Sequence, residues 1–405
     1  MIMTAREKAV LVLAQIDKEK SYAGLVLKHA LSDLTDAREK SLATELIYGT
    51  IRYKKRLDYL RDSFSSIKAS KLHPMTVQIL RITLYQVLYL EKIPVSAACN
   101  QAVLLAKKFV NDGAAKFVNG LVRNIIRNKE DLPCPASAFD ALGMRTSFPK
   151  SILDIWVADY GFEKAAEIAE QSNIPKKTAY RINRLKAEDG FEMPDCPDSP
   201  HNEKLFQNGV LTVQDNGSRL AVEKLCPQKG ERVLDLCAAP GGKSCYMAEL
   251  MENNGEIIAC DIHEHRLKLI EETAKRLGAN IITPIINDGA IFRQEWENAF
   301  DCVLADVPCS GLGVISGKPD IKWRRQDYPS LTALQANILE NAMRYVKPGG
   351  KLVYSTCTVH KAENDDVVDL ALKKHPEFSF DGKPVQLFPS EEHDGFYVCR
   401  FTKEL

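Results

Sequence analysis

The chain has 405 residues, 45% hydrophobic and 27% charged, with 54 Lys and Arg balanced by 54 Asp and Glu. That length predicts two or three domains, and the composition leaves apolar material for a core in each, which excludes a disordered chain. No apolar run approaches the ~20 residues of a membrane span. The start, Met1 to Arg6, lacks the apolar stretch and small-residue cleavage site of a secretion signal, so a cytoplasmic location and no membrane partner are expected. The 11 cysteines are scattered, odd in number and form no C-x-x-C pair. This supports neither a zinc site nor a redox motif; no metal is expected, and most thiols should be small buried hydrophobes.

The charge is unevenly spread. Residues 1–130 hold 22 Lys and Arg against 12 Asp and Glu, a net +10, which leaves −10 on the remainder. A basic module facing a polyanion would explain this, as would a solvated helix surface. Residues 1–135 read as a helical bundle. Helices are predicted over about 4–18 and 38–64, the second broken or bent. Val77, Leu80, Leu84, Val87 and Leu88, and later Val118, Leu121, Val122, Ile125 and Ile126, repeat with helical spacing. Arg52, Lys54, Lys55, Arg56 and Arg61 form one basic cluster; Lys107, Lys108, Arg123, Arg127 and Lys129 form another. Such clusters can neutralise phosphates without reading sequence.

Pro133 and Pro135 suggest a linker, and residues 136–225 a small α/β connecting subdomain. Helices are predicted at 151–160 and 163–171, strands at 179–183 and 210–213, and a surface loop at 189–202 carrying four acids and Pro194, Pro197 and Pro200. Asp215 is expected to cap a helix reaching Leu225.

From 226 to 405 short apolar strands alternate with helices, which predicts a doubly wound, mostly parallel sheet. Strands are expected at 232–236, 257–260, 281–286, 302–305 and 351–354. Ligands of such sheets lie at the strand C-termini. The small-residue turn Cys237, Ala238, Ala239, Pro240, Gly241, Gly242, Lys243 follows the first strand. It is not G-x-G-x-x-G, so a nicotinamide oxidoreductase lacks its phosphate fingerprint. Asp261, 20 positions after Gly241, suits the ribose hydroxyls of an adenosine, and Asp288 its adenine edge. With no pyrophosphate cradle, a nucleoside carrying a sulfonium side chain fits best. Two further turns follow apolar runs: Asp306-Val-Pro-Cys309-Ser-Gly311 and Ser355-Thr-Cys357-Thr358. A thiolate that adds to carbon 6 of cytosine makes carbon 5 nucleophilic enough to take a methyl group. The residues alone do not choose between the two thiols. Asp306 can hold a proton against cytosine N3, and Lys243 can favour a thiolate or contact the donor. Lys318, Lys322, Arg324 and Arg325 are candidates to grip phosphates; a solvated loop is the alternative.

Ile93-Pro94, Asn100 to Val103 and Lys116 to Val122 resemble NusB-like antitermination-factor domains, which implies an all-helical RNA-binding fold. The segment Phe206 to Ser218, with Gln214 and Asp215, looks like the stretch lying against the cofactor pocket in RNA cytosine-5 methyltransferases. Asp235 to Lys243, Asp306 to Gly311 and Ser355 to Thr358 resemble the signature motifs of that family, and Leu387 to Tyr397 its closing hairpin. Thr358 departs from the serine common after the second cysteine. The whole chain is similar to the Sun/RsmB family of bacterial 16S ribosomal RNA cytosine-5 methyltransferases. The resemblance implies a NusB-like domain at 1–135, the connecting subdomain at 136–225, and a class I Rossmann-like methyltransferase domain at 226–405 using S-adenosylmethionine. It implies Cys357 as the attacking thiol and Cys309 as the group assisting release. The implied partner is 16S ribosomal RNA, either free or within a partly assembled small subunit. The same chemistry on transfer RNA, or a non-catalytic assembly factor, are the alternatives.

Overall fold

The structure, a computed structural model, describes residues 3–19, 23–195, 199 and 202–405. Pro197 and Pro200 of the expected surface loop lie outside the described residues. The chain forms two compact units, residues 1–173 with 317–325, and residues 174–316 with 326–405.

The first unit is helical. It runs through α1 (Ala5–Glu19), α2 (Ala23–Ala30), α3 (Ala37–Arg52), α4 (Lys54–Phe64), α5 (Pro74–Tyr89), α6 (Val95–Phe109) and α7 (Asp112–Arg127). The Asp36 carboxylate caps α3 by accepting from the amides of Arg38 and Glu39, and the predicted break falls at Tyr53, between α3 and α4. Val118, Leu121, Val122 and Ile125 of α7 are buried, as their spacing predicts. At Gly49 a Cβ would stand 2.0 Å from the Tyr85 ring, so α3 and α5 approach as closely as they do only because Gly49 has no side chain. The proline-marked linker is followed by a helix that the sequence reading lacked, α8 (Ala138–Arg145), capped by Ser137. With α9 (Lys150–Tyr160) and α10 (Phe162–Gln171) it belongs to this first unit.

The nine residues 317–325 also belong to this unit, although in sequence they follow the Cys309 turn. They carry a short 3-10 helix, Pro319–Trp323. Lys322 is 2% exposed. Its ammonium donates to Arg52 O (3.1 Å), Thr146 O (3.2 Å) and Asn173 Oδ1 (2.6 Å), and lies 3.7 Å from the centroid of the Phe148 ring. Burial, with Arg52 nearby, pushes its pKa down. Lys322→Met keeps the stem but removes three hydrogen bonds to buried oxygens, and Asn173 Oδ1 loses its donor. The expected cost is about 3 kcal/mol, read as a fall in the denaturant midpoint of the helical unit.

The second unit opens with an antiparallel pair, β1 (Tyr180–Ile182) and β2 (Leu211–Val213), joined through α11 (Glu203–Gln207). Asp215 caps α12 (Asn216–Leu225), accepting from the Gly217 amide at 2.8 Å. Then follow β3 (Arg232–Asp235), α13 (Gly242–Leu250), β4 (Glu256–Asp261), α14 (Glu264–Leu277), β5 (Ile282–Ile286), β6 (Phe300–Asp306), α15 (Tyr328–Tyr345) and β7 (Val346–Thr356). α16 (Asp365–Lys374), β8 (Phe378–Phe380), β9 (Val385–Leu387) and β10 (Phe396–Lys403) close the chain. The strand order is β5-β4-β3-β6-β7-β10-β8, with β9 also on β10. The first five strands are mutually parallel, and β10 runs antiparallel to β7, the closing strand that was expected. The order reverses between β3 and β6, so the C-terminal edge there is the switch-point crevice. No helix of the described residues is long and apolar enough to cross a membrane.

Candidate active site

β3 delivers Asp235 to the switch point, and the turn at 237–243 carries the chain into α13. The Ala238 amide donates to Cys260 O at 2.8 Å, tying the turn to β4. Gly241 has φ +98°, and a Cβ there would stand 3.1 Å from Ile270 Cα. Conformation and space therefore both require glycine. A cavity of about 220 Å³ opens beside the turn, lined by Cys237, Ala238, Ala239, Pro240, Gly242 and Lys243, together with Gln214, Asp215 and Asp306 from other elements. A Cβ on Gly242 would meet nothing within 4 Å.

Asp235, also in this lining, is 1% exposed; Oδ2 accepts from Ser244 Oγ at 2.6 Å and Oδ1 has no partner. Burial pushes this carboxyl up to about 6, against the Ser244 hydrogen bond, and Asp306 adds to the rise. Three acids, one of them with an unpartnered carboxylate oxygen, against one amine fit an organic cation. A raised folded pKa means that the folded state keeps its proton longer than the unfolded chain. Stability is then full below about pH 4 and falls as pH rises to about 6. Asp235→Asn should remove this slope, gaining about 2 kcal/mol at pH 7.5 relative to pH 4.5. Thermal midpoints of both proteins at the two pH values check this; equal differences would refute it.

Asp261 ends β4 and is 4% exposed. Its Oδ1 accepts from the His263 amide (3.0 Å) and its Oδ2 pairs with Arg266 (2.9 Å). Asp288 follows β5 on the same sheet edge, its Oδ1 accepting from the Ala290 amide at 3.0 Å.

β6 and β7 are parallel neighbours, so the two cysteine turns leave adjacent strand ends. Asp306 joins them to the cavity: Oδ2 pairs with Lys243 Nζ at 2.7 Å and Oδ1 accepts from Ser355 Oγ at 2.7 Å. Burial works against the Lys243 charge, but Asp306, then Asp235 and Cys357, outweigh it and raise its pKa. The Cys309 and Cys357 sulfurs are 3.0 Å apart, and the Cys357 amide donates to Cys309 Sγ at 3.2 Å. The contact with Cys357, burial and the charge of Glu363 push the Cys309 thiol far up. Gly313 donates to Cys357 O at 3.0 Å, and a Cβ there would meet Gly395 O at 2.1 Å, so backbone alone fits behind the turns.

The structure adds two residues that sequence reasoning missed. Glu363 is fully buried; Oε2 accepts from the Ser310 amide (2.8 Å) and Gln335 (2.9 Å), and Oε1 faces the Thr358 hydroxyl at 3.4 Å. Asn364, also fully buried, accepts from Thr356 Oγ1 (2.6 Å) and donates to Thr358 O (3.2 Å). This pair ties both cysteine turns together. The available signal was its place six residues beyond Cys357, on the entry to α16.

Some basic residues read as phosphate grips are structural. Lys322 is spent on buried acceptors, as described above. Arg61, 4% exposed, is paired with Asp58 and Asp62, and Arg52 is 6% exposed. By contrast Lys107, Lys108, Arg123, Arg127 and Lys129 are exposed.

Comparisons with known proteins identify the family and the fold. The family model for the 16S rRNA methyltransferase RsmB/F matches residues 222–402, and that of the NusB family matches residues 3–127. The chain is 37% identical to the "Probable ribosomal RNA small subunit methyltransferase B" of Bacillus subtilis, over 99% of both chains. It is 31% identical to the ribosomal RNA small subunit methyltransferase B of Escherichia coli K12, over 98% of both. Among solved structures, PH0851 matches with a TM-score of 0.78 at 24% identity, covering both chains fully, and so shares the fold. A methyltransferase homologue from Pyrococcus horikoshii matches 66% of this chain and 100% of its own, with a TM-score of 0.55 at 26% identity. The sheet is thus that of a Rossmann-like methyltransferase, and the helical region that begins the chain is NusB-like.

Proposed function

The chain belongs to the RsmB/F family of 16S rRNA methyltransferases, and from that premise we propose that it methylates carbon 5 of a cytosine in 16S ribosomal RNA. The observation that carries this reading is the pair of sulfurs 3.0 Å apart at neighbouring strand ends, linked through Ser355, Asp306 and Lys243 to the acid-lined cavity. Bound in that cavity, S-adenosylmethionine supplies an electrophilic methyl group. The turn at 237–243 would hold it with Asp235 and Asp306 towards its positive charge, and Asp261 and Asp288, on the same sheet edge but outside the cavity lining, would take its ribose and adenine.

Cys357, as thiolate, adds to carbon 6 of an unstacked cytosine. Lys243, the cation whose charge Cys357 helps to hold, favours that thiolate. Carbon 5 then takes the methyl group, and the electron pair of the broken carbon–sulfur bond stays on the donor sulfur. Asp306 shares the N3 proton of the adduct. A base removes the carbon-5 proton, the carbon 6–sulfur bond breaks and its electron pair returns to Cys357. Cys309, held protonated beside Cys357, assists this release. The NusB-like region holds the RNA through its exposed lysines and arginines.

Bisulfite mapping of 16S ribosomal RNA and transfer RNA, incubated with the protein and S-adenosylmethionine, tests the proposal. One protected cytosine in 16S RNA is expected. Protection confined to transfer RNA would move the substrate, and none in either would sink the reaction.

A further inference from the structure

A second cavity, of about 450 Å³, lies wholly within the helical unit and is walled by α1, α3, α5 and the segment 317–325. That volume is within the roughly 300–1,000 Å³ typical of small-molecule pockets. Its apolar wall comes from Leu13, Ile16 and Ile51. Trp323 supplies a flat face. Its indole N–H donates to Ile51 O at 2.8 Å, which fixes the ring, yet the residue stays partly exposed. Lys54 Nζ lies 5.8 Å from the centroid of that ring.

The charges around the cavity point to an anionic ligand. Lys54, Arg81, Arg324 and Arg325 line it against two acids, Asp17 and Asp320. Both acids are already spent. Asp17 pairs with Lys54 at 2.7 Å and Arg81 at 2.6 Å, and Asp320 pairs with Arg324. Burial works to raise Asp17, but Arg81 and Lys54 prevail and hold it at about 2, so its charge is permanent at neutral pH. Arg325 is exposed and has no hydrogen bond or ion pair among the described residues. Thr50, which also lines the cavity, is 1% exposed and its hydroxyl oxygen has no partner. An apolar floor, a fixed indole, an unpaired cation at the rim and a partnerless hydroxyl in the wall are what an unstacked base with its phosphate requires.

We propose that this cavity holds one unstacked nucleotide of the RNA substrate, its base stacked on Trp323 and its phosphate on Arg325. The proposal rests on the RNA substrate inferred above. It deepens that reading by adding a recognition site on the helical unit, separate from the base that is methylated.

The test uses the full-length protein and a 16S ribosomal RNA transcript substituted with 4-thiouridine, irradiated without methyl donor, with the crosslinked peptides mapped by mass spectrometry. Crosslinks to the peptide containing Trp323 are expected. Trp323→Leu should weaken transcript binding roughly ten-fold. Arg325→Ala, a change at an exposed side chain that leaves the packing intact, should lower affinity several-fold and reduce the salt slope by about one. Crosslinks only elsewhere, with affinity unchanged in both variants, overturn the proposal. Methyl transfer is scored separately by bisulfite mapping. Transfer without the Trp323 crosslink removes the pocket alone, and the crosslink without transfer removes the reaction alone.

Discussion

Cys357→Ala is expected to lower methyl transfer at least about a thousand-fold, while Cys309→Ala leaves the protein covalently locked to its RNA. The two outcomes differ because the thiols, 3.0 Å apart, have different surroundings. Cys309 is kept protonated by its contact with Cys357, by burial and by Glu363. Cys357 shares its environment with the Lys243 cation. Without Cys357 no bond to carbon 6 forms, so carbon 5 stays unreactive; donor binding, through the turn at 237–243, should be retained. Without Cys309 the bond forms and methyl transfer proceeds, but release stalls. Denaturing gel electrophoresis with labelled RNA reads the second case as a band of the combined mass. If Cys357→Ala gives that band instead, the two roles are exchanged.

Glu363→Ala should cost about a hundred-fold in turnover, with little change in donor affinity. The carboxylate is the shared acceptor for Ser310 beside one cysteine, Thr358 beside the other, and Gln335, which also donates to Pro308 O. Its loss orphans buried donors at about 1–3 kcal/mol each and frees the turns from each other. A misplacement of about 1 Å in a reacting group is enough for such a loss. A charge effect separates this role from simple scaffolding. Glu363→Gln keeps an acceptor but removes the negative charge that raises the Cys309 thiol. Alkylation of Cys309 by iodoacetamide, followed by peptide mass spectrometry at pH 8, should then be faster than in the parent. An unchanged rate would limit Glu363 to holding the turns.

Much of the second unit was legible because short apolar runs ending in small or acidic residues are what a parallel sheet requires. Asp261, Asp288 and Asp306 all fall at or just beyond strand ends, where the sequence reading set them, whereas Asp235, read as inside a strand to Leu236, is itself the last residue of β3. Helix α8 was not legible, since Pro133 and Pro135 suppressed the expectation of regular structure just before it. Charge density misled at Arg52 and Arg61, because a count does not say which face of a helix a residue occupies. The i, i+3 partner Asp58 was visible beside Arg61 and was the clue to its pairing. Lys322 and Glu363 were beyond reach for a different reason. Each is a charged group buried by partners distant in sequence, and no local periodicity encodes that.

The insertion of residues 317–325 into the helical unit has a consequence for synthesis. A ribosome that has completed residue 173 must still make the 143 residues from 174 to 316 before the segment carrying Lys322 and Trp323 emerges. At ~5–20 residues per second that interval is on the order of ten seconds. Through it the nascent helices present Arg52 O, Thr146 O and Asn173 Oδ1 without their lysine, and Ile51 O without its indole. The first part of the protein to be made is thus among the last to be finished. A polypeptide ending at residue 173 would remain in that waiting state, and one starting at 174 would carry Ile321 and Trp323 with no core to receive them.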